Sequence, residues 1–255
     1  MRKTLTDAEI IQYREDGYVL IQDFLHDDEV QLWRDIFIPA VKKRAEVFGS
    51  GTYGIGDGFI HQEDTRICDL LYSPEIGRLI GQLNGFSEVR LLNDYCYERP
   101  GHFRTTDWHV SMHEALPFHS RNCTVLWVSL QDLSARNGAI CVLPGFPKAA
   151  RVGAFEKKPG MAGIFDDYPE WRNKPTVSID GRGGFACFYN ALMPHATAAN
   201  LTPDPRYSVL GFYFGPGEVY NGIDMMIRPE YAARLNIGDP IDDDNEAPVV
   251  WRAEG

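Results

Sequence analysis

The sequence predicts one mostly-β domain of the jelly-roll or sandwich kind, with helices at its N-terminal end, and three observations predict it. From about residue 88 the chain becomes a series of short runs rich in β-branched and aromatic residues, VRLLNDYCYERPG, CTVLWVSL, AICVLPG, GGFACFYN and RYSVLGFYF, divided by Pro and Gly. Helical patterns are confined to the N-terminal part and do not alternate with the strands, which argues against a parallel α/β sheet. The 255 residues, 44% of them hydrophobic, suffice to bury one sizeable core.

Along the chain, Thr6 to Glu9 reads as a capping box that opens a short helix, and Gly17 closes it. Tyr18, Val19, Leu20 and Ile21 then predict a strand. Asp27 and Asp28 start a longer helix whose apolar positions Val30, Trp33, Phe37 and Val41 keep a helical period, with Pro39 as a kink. The basic cluster Lys42, Lys43 and Arg44 ends it, and its apolar face is expected to cover a sheet. Asn137-Gly138 and Pro144-Gly145 read as turns that shape the β-core of about residues 88–216. The segment 238–255 carries Asp239, Asp242, Asp243, Asp244 and Glu246 with little apolar content before Val249, and is expected to be solvated and mobile.

A formal charge of −11 argues against a nucleic-acid partner, because such binding relies on Lys and Arg neutralising phosphates. A small molecule is the expected ligand. The two early positive charges have no apolar stretch behind them, and no run approaches a membrane-spanning length, so a soluble cytoplasmic protein with no membrane partner is expected. The five cysteines are widely spaced without a CxxC pair, which suggests neither a disulfide framework nor a zinc knuckle. Nothing in the sequence assigns an oligomeric state.

Two clusters carry chemistry. In DWHVSMHEALPF, His109 and Ser111 share one face of an extended strand, while His113 falls beyond its end. In FYNALMPHATAANLTPDPRYSVLGFYF, a turn brings His195, and a later strand begins with Arg206 and Ser208 on one face. Antiparallel strands far apart in sequence can be neighbours in a barrel, so the two histidines can share one interior. An arginine fork with a hydroxyl beside it suits a small dicarboxylate. Residue types alone therefore allow a two-histidine metal site with an anion pocket. They equally allow packed histidines and a surface arginine, the pattern of a metal-free jelly-roll binding protein.

YREDGYVLIQDFL, YERPG, the Trp108-His109 pair, LWVSLQDLSARNGAICVLPGFPK and the stretch from His195 to Arg206 occur in order over about residues 10–215. In this the chain resembles the phytanoyl-CoA dioxygenase family of Fe(II)/2-oxoglutarate-dependent oxygenases. The resemblance implies a double-stranded β-helix (jelly roll, cupin-like) with N-terminal helices packed on one sheet. It also implies an enzyme that uses Fe(II), 2-oxoglutarate and O2 to oxidise an unactivated carbon of a small-molecule, secondary-metabolite type of substrate. Carried over by position, His109 and His195 are the iron ligands, and Arg206 pairs with the far carboxylate of 2-oxoglutarate, helped by Thr197 or Ser208. Asn93, Tyr95 and Trp127 fall where the family places residues around the cosubstrate.

The family pattern is His-x-Asp, whereas this chain has His109-Val110-Ser111, so a neutral hydroxyl stands where a carboxylate ligand is expected. Three outcomes are open. Chloride fills the vacated position, as in related iron halogenases with Ala or Gly there, and the enzyme halogenates. Alternatively Asp107, Glu114 or water completes the shell and the enzyme hydroxylates or desaturates; as plain rim acids, Asp107 and Glu114 would have no such part. In the third, catalysis is lost. Two segments suit the mouth of such a site: the Gly-rich residues 49–64, as a lid, and residues 156–175.

Overall fold

The computed structural model describes residues 1–48, 50–51, 54–111, 115–152 and 160–254, without the side chains of 47–48, 50–51, 54–57 and 160–163. Helix α1 (Asp7–Asp16) opens with the expected capping box. Thr6 Oγ1 accepts from the Glu9 amide, and the Glu9 carboxylate accepts from the Thr6 amide at 2.7 Å. Gly17 ends the helix at φ 78°, a left-handed conformation that glycine adopts without strain, and a Cβ there would also lie 2.5 Å from the Pro147 ring. Strand β1 (Tyr18–Ile21) follows, then α2 (Asp27–Phe48). That helix runs past the basic cluster expected to end it, because Arg44 is buried: it donates to the Gly58 carbonyl at 2.8 Å and pairs with Glu63. Two further helices, α3 (Arg66–Leu71) and α4 (Pro74–Asn84), complete the N-terminal half.

The remaining strands are β2 (Ser50–Gly51), β3 (Gly54–Gly58), β4 (Glu88–Arg99), β5 (Cys123–Ser129), β6 (Ile140–Val142), β7 (Val177–Ile179), β8 (Ala186–Asn190), β9 (His195–Thr197), β10 (Arg206–Phe214) and β11 (Val249–Arg252). Short helices α5 (Phe146–Ala149), α6 (Gly160–Asp167) and α7 (Pro229–Ala232) lie between them. The main sheet is antiparallel in the order β1-β8-β5-β10-β4-β3-β2, and β11 pairs with the start of β4. The second sheet has the order β7-β6-β9, and His109 extends it through a bridge to His195. The five runs recognised from sequence are β4, β5, β6, β8 and β10.

Strand alternation divides the apolar residues between two cores. Leu210, Phe212 and Phe214 of β10 face the second sheet together with Trp127 and Tyr189. Tyr207, Val209 and Tyr213 face the helices, where Trp33, Phe37 and Val41 of α2 cover them as expected. The two expected turns are present, with Gly138 at φ 92° and Gly145 at φ 79°. Among the described residues no helix is long and apolar enough to cross a membrane.

The expectation of a solvated, mobile tail is corrected. Asp244 pairs with Arg90, Glu246 with Arg228 and Arg234, and Asp243 with Arg234, so the acids anchor the segment and carry it to β11. There Val250 is buried, and Trp251 packs on the glycine face of α4. A Cβ on Gly81 would lie 2.3 Å from the Trp251 ring. Gly81→Ala is therefore expected to lower the urea midpoint, although alanine is favoured in helices by about 1 kcal/mol. A raised midpoint would mean that the indole moves aside at no cost.

Candidate active site

One end of the space between the two sheets is a cavity of about 160 Å³. The second sheet brings both histidines to it. His109 and His195 exchange backbone hydrogen bonds of 3.1 and 3.0 Å, and their ring centroids lie 4.2 Å apart. His195 Nδ1 donates to the Met193 carbonyl at 2.8 Å, and His109 Nδ1 donates to the Asp107 carbonyl at 3.0 Å. A carbonyl can only accept, so each ring carries a proton on Nδ1, which makes Nε2 the nitrogen through which a neutral imidazole there would bind a metal. Burial first, then the neighbouring His109, holds the pKa of His195 well below the usual histidine range and keeps the ring neutral.

Strand β10 brings the cation. Arg206 is buried at 2% exposure; Nη1 donates to Ser208 Oγ at 2.7 Å, Nη2 donates to the Gly138 carbonyl at 3.0 Å, and the guanidinium lies over Trp127 at 5.4 Å. Its Nε is buried and has no hydrogen-bond partner among the described residues. Directly across on β4 stands Arg99, also buried, whose Nη2 donates to the Arg104 carbonyl. Burial, then Arg99, lowers the Arg206 pKa to about 9, and burial, then Arg104, lowers that of Arg99 to about 10. Two cations placed opposite each other and away from water call for an anion between them. Among the described residues, none of those lining the cavity is an acid.

The cavity brings together His109, Ser111, His195, Arg206, Ser208 and Thr197, and its wall also includes Tyr95 and Trp127. Asn93 is the exception and corrects the expectation of a cosubstrate contact. Its Oδ1 accepts from the Phe59 amide at 2.9 Å and its Nδ2 donates to the Met226 carbonyl at 3.1 Å, so it braces two segments beside the cavity and does not line it. Ser111 is buried two residues beyond the His109 bridge, and its backbone carbonyl accepts from the Ala115 amide at 3.1 Å. The Asp107 side chain is exposed and off the cavity wall, while His113 and Glu114 lie outside the described residues. Among the described residues no group of three His, Cys, Asp or Glu side chains is placed to hold a metal, and the described imidazoles at the cavity are those of His109 and His195. The donor set fits a metal with open positions, and the unpartnered Arg206 Nε fits a carboxylate.

Sequence reasoning missed Arg99 and Tyr97, which stand at two-residue steps from Tyr95 within YERPG and share its face. The same period on β8 places Tyr189 in the cavity. Met225 and Met226 arrive on a segment without periodicity, which carried no signal. Of the two expected mouth segments, residues 49 and 52–53 of the first and 156–159 of the second lie outside the described residues. The end of the first is tied down: the His61 amide and ring Nδ1 both reach the buried Asp94 carboxylate, at 3.0 and 2.5 Å.

The chain is similar to known proteins in sequence and in fold. A phytanoyl-CoA dioxygenase of Arabidopsis thaliana is 27% identical over 154 residues, covering 58% of this chain and 52% of the relative. The human peroxisomal phytanoyl-CoA dioxygenase is 24% identical over 221 residues, covering 77% of this chain and 64% of the relative. The chain thus spans about half to two thirds of the length of these relatives. Among solved structures, the non-haem alpha-ketoglutarate-dependent carbocyclase SnoK from nogalamycin biosynthesis superposes with a TM-score of 0.80 at 23% identity, over 96% of both chains, a likeness of fold. The family profile of phytanoyl-CoA dioxygenase (PhyH) matches residues 13–208, and the chain belongs to that family.

Proposed function

We propose that this protein is a non-haem Fe(II)/2-oxoglutarate-dependent dioxygenase, built on a double-stranded β-helix, that oxidises an unactivated carbon of a small secondary-metabolite type of substrate by hydroxylation or related chemistry. One observation carries the reading: two histidines whose Nδ1 atoms are engaged by backbone carbonyls share a cavity with a buried arginine whose Nε has no hydrogen-bond partner among the described residues. His109 and His195 would hold the iron. Arg206 and Ser208, with Thr197 and Arg99 beside them, would hold the far carboxylate of 2-oxoglutarate, whose dianion answers the two buried cations. Tyr95 and Trp127 would flank the cosubstrate. When bound, iron and 2-oxoglutarate supply the oxidising equivalents from O2 as the cosubstrate loses CO2 and becomes succinate. The chain's own part is to orient the dicarboxylate, keep the His195 imidazole neutral and exclude water.

Halogenation is the second reading, favoured by Ser111. A small neutral side chain stands on the cavity wall where the family pattern has an acid, and no described lining residue replaces that charge. Chloride would complete the shell.

An anaerobic titration of the iron-loaded protein with 2-oxoglutarate, followed by visible absorbance, tests both readings. A broad charge-transfer band is expected; chloride that strengthens it supports halogenation, indifference to chloride supports hydroxylation, and no band refutes the oxygenase reading. His195→Ala is expected to reduce iron uptake from about one per chain to near zero by metal analysis. Arg206→Leu is expected to weaken 2-oxoglutarate binding roughly tenfold to a hundredfold, the worth of a charge-assisted hydrogen bond, with iron uptake retained. Equal affinity in that variant would remove Arg206 from the role.

A further inference from the structure

We infer that Asn190 is a positioning residue for His195: it closes the turn whose Met193 carbonyl holds the imidazole, and in doing so fixes the rotation of the ring. That a metal meets the ring rests on the oxygenase reading; the hold on the ring does not.

The main chain of His195 and its ring are held by different parts of the molecule. The main chain pairs with Val142 of β6 and is bridged to His109, so the second sheet sets where the residue stands. Which way the imidazole faces is set by the Met193 carbonyl, which accepts from Nδ1. Pro194 alone separates the two residues. A proline fixes its own φ and keeps the residue before it extended, so the Met193 carbonyl has little freedom relative to the chain that leads into it. That chain is the turn from Asn190 to Met193.

Asn190 closes this turn twice. The Met193 amide donates to its backbone carbonyl at 2.8 Å, and the Leu192 amide donates to its Oδ1 at 3.0 Å, a side-chain turn nested in the backbone one. The side chain is 9% exposed and its other end is anchored as well, because Nδ2 donates to the Arg121 carbonyl at 2.8 Å. The end of α1 braces the same turn: the Asn190 amide donates to the Gly17 carbonyl at 2.9 Å, and a Cβ on Gly17 would lie 3.1 Å from Met193 Cε. Strand alternation lets one strand end serve both sides, with Tyr189 on the cavity wall and Asn190 in a depression shared with Tyr13 and Arg14 of α1 and Asn84 of α4. Alanine at 190 removes both side-chain bonds of the turn and leaves the sheet pairing of His195 untouched, so it acts on the ring's direction and not on its place.

The test has two readouts. In the metal-free protein, with a chelator present, long-range proton–nitrogen NMR shows which ring nitrogen of His195 carries the proton, its signals being assigned by their loss in His195→Ala. The unsubstituted protein is expected to carry it on Nδ1, and Asn190→Ala to populate the Nε2–H form. Anaerobic titration with Fe(II) is expected to show about tenfold weaker binding in that variant, the cost of removing a group that orients a ligand. Asn190→Asp keeps the acceptor for the Leu192 amide and sits beside Arg14, Arg121 and Lys148, which line the same depression, so it is expected to bring both readouts back toward the unsubstituted protein. If Asn190→Ala does not fold, Asn190→Ser, whose hydroxyl makes the same turn more weakly, is expected to show both changes to a smaller extent. Gly81→Ala, remote from the turn, controls for lost stability and is expected to leave both readouts as they were. An Asn190→Ala protein that loses urea stability but keeps the Nδ1–H ring and its Fe(II) affinity would overturn the inference. If the ring responds as expected while the unsubstituted protein takes up no iron, the oxygenase reading falls and the positioning role stands. If the unsubstituted protein binds iron and Asn190→Ala binds it equally well, the positioning role alone is wrong.

Discussion

A strand sealed on both faces can carry a cation only if something inside meets the charge, and β10, buried along its whole length, begins with Arg206. Its neighbours are fixed by that requirement. Gly138 brings a carbonyl to Nη2, Ser208 brings a hydroxyl to Nη1, and Trp127 offers its ring face. Gly138 stands at φ 92° with the position of its missing Cβ 3.1 Å from Arg99 Cδ and 3.5 Å from Arg206 Nη2, so any larger residue would be both strained and crowded against the arginine pair. What the described residues leave unmet at the Arg206 Nε sets the charge that a ligand there must carry.

The chain as a whole carries −11, yet the described cavity wall holds arginines and no acids. The described acids stand elsewhere, many of them paired with Arg2, Arg66, Arg90, Arg228 and Arg234. Separation of charge on this scale makes the cavity a local attractor for anions within an acidic molecule, because low-dielectric walls preserve the field of the buried cations.

Much of the fold was legible because its signals are local. The Thr6–Glu9 box, Gly17, the strand runs and the Asn137-Gly138 turn each act through neighbouring residues, and each appears where the sequence placed it. The histidines, Arg206, Ser208 and Trp127 were reached through the family resemblance joined to strand period, and the cavity gathers them. Failures came where distant partners decide. Arg44 looked like a helix end until Gly58 and Glu63 drew it inward, and the acidic tail looked solvated until Arg90, Arg228 and Arg234 met it. Asn93 faced the right way for a ligand contact, but two backbone groups from other segments claimed its amide. Side-chain chemistry can be read from one residue; who answers it cannot.

The pairing of β1 with β8 has a consequence for how the molecule assembles. Residues 18–21 lie on the main sheet against residues 186–189, so β1 waits for a strand far later in the sequence before that edge is covered. The bridge between His109 and His195 is similarly non-local. Closing such long loops costs entropy before any contact repays it, which makes folding slow and leaves an apolar strand edge exposed meanwhile. During that interval the N-terminal half depends on its helices, and on α1 in particular because it packs on β1, to keep β1 from pairing with another chain.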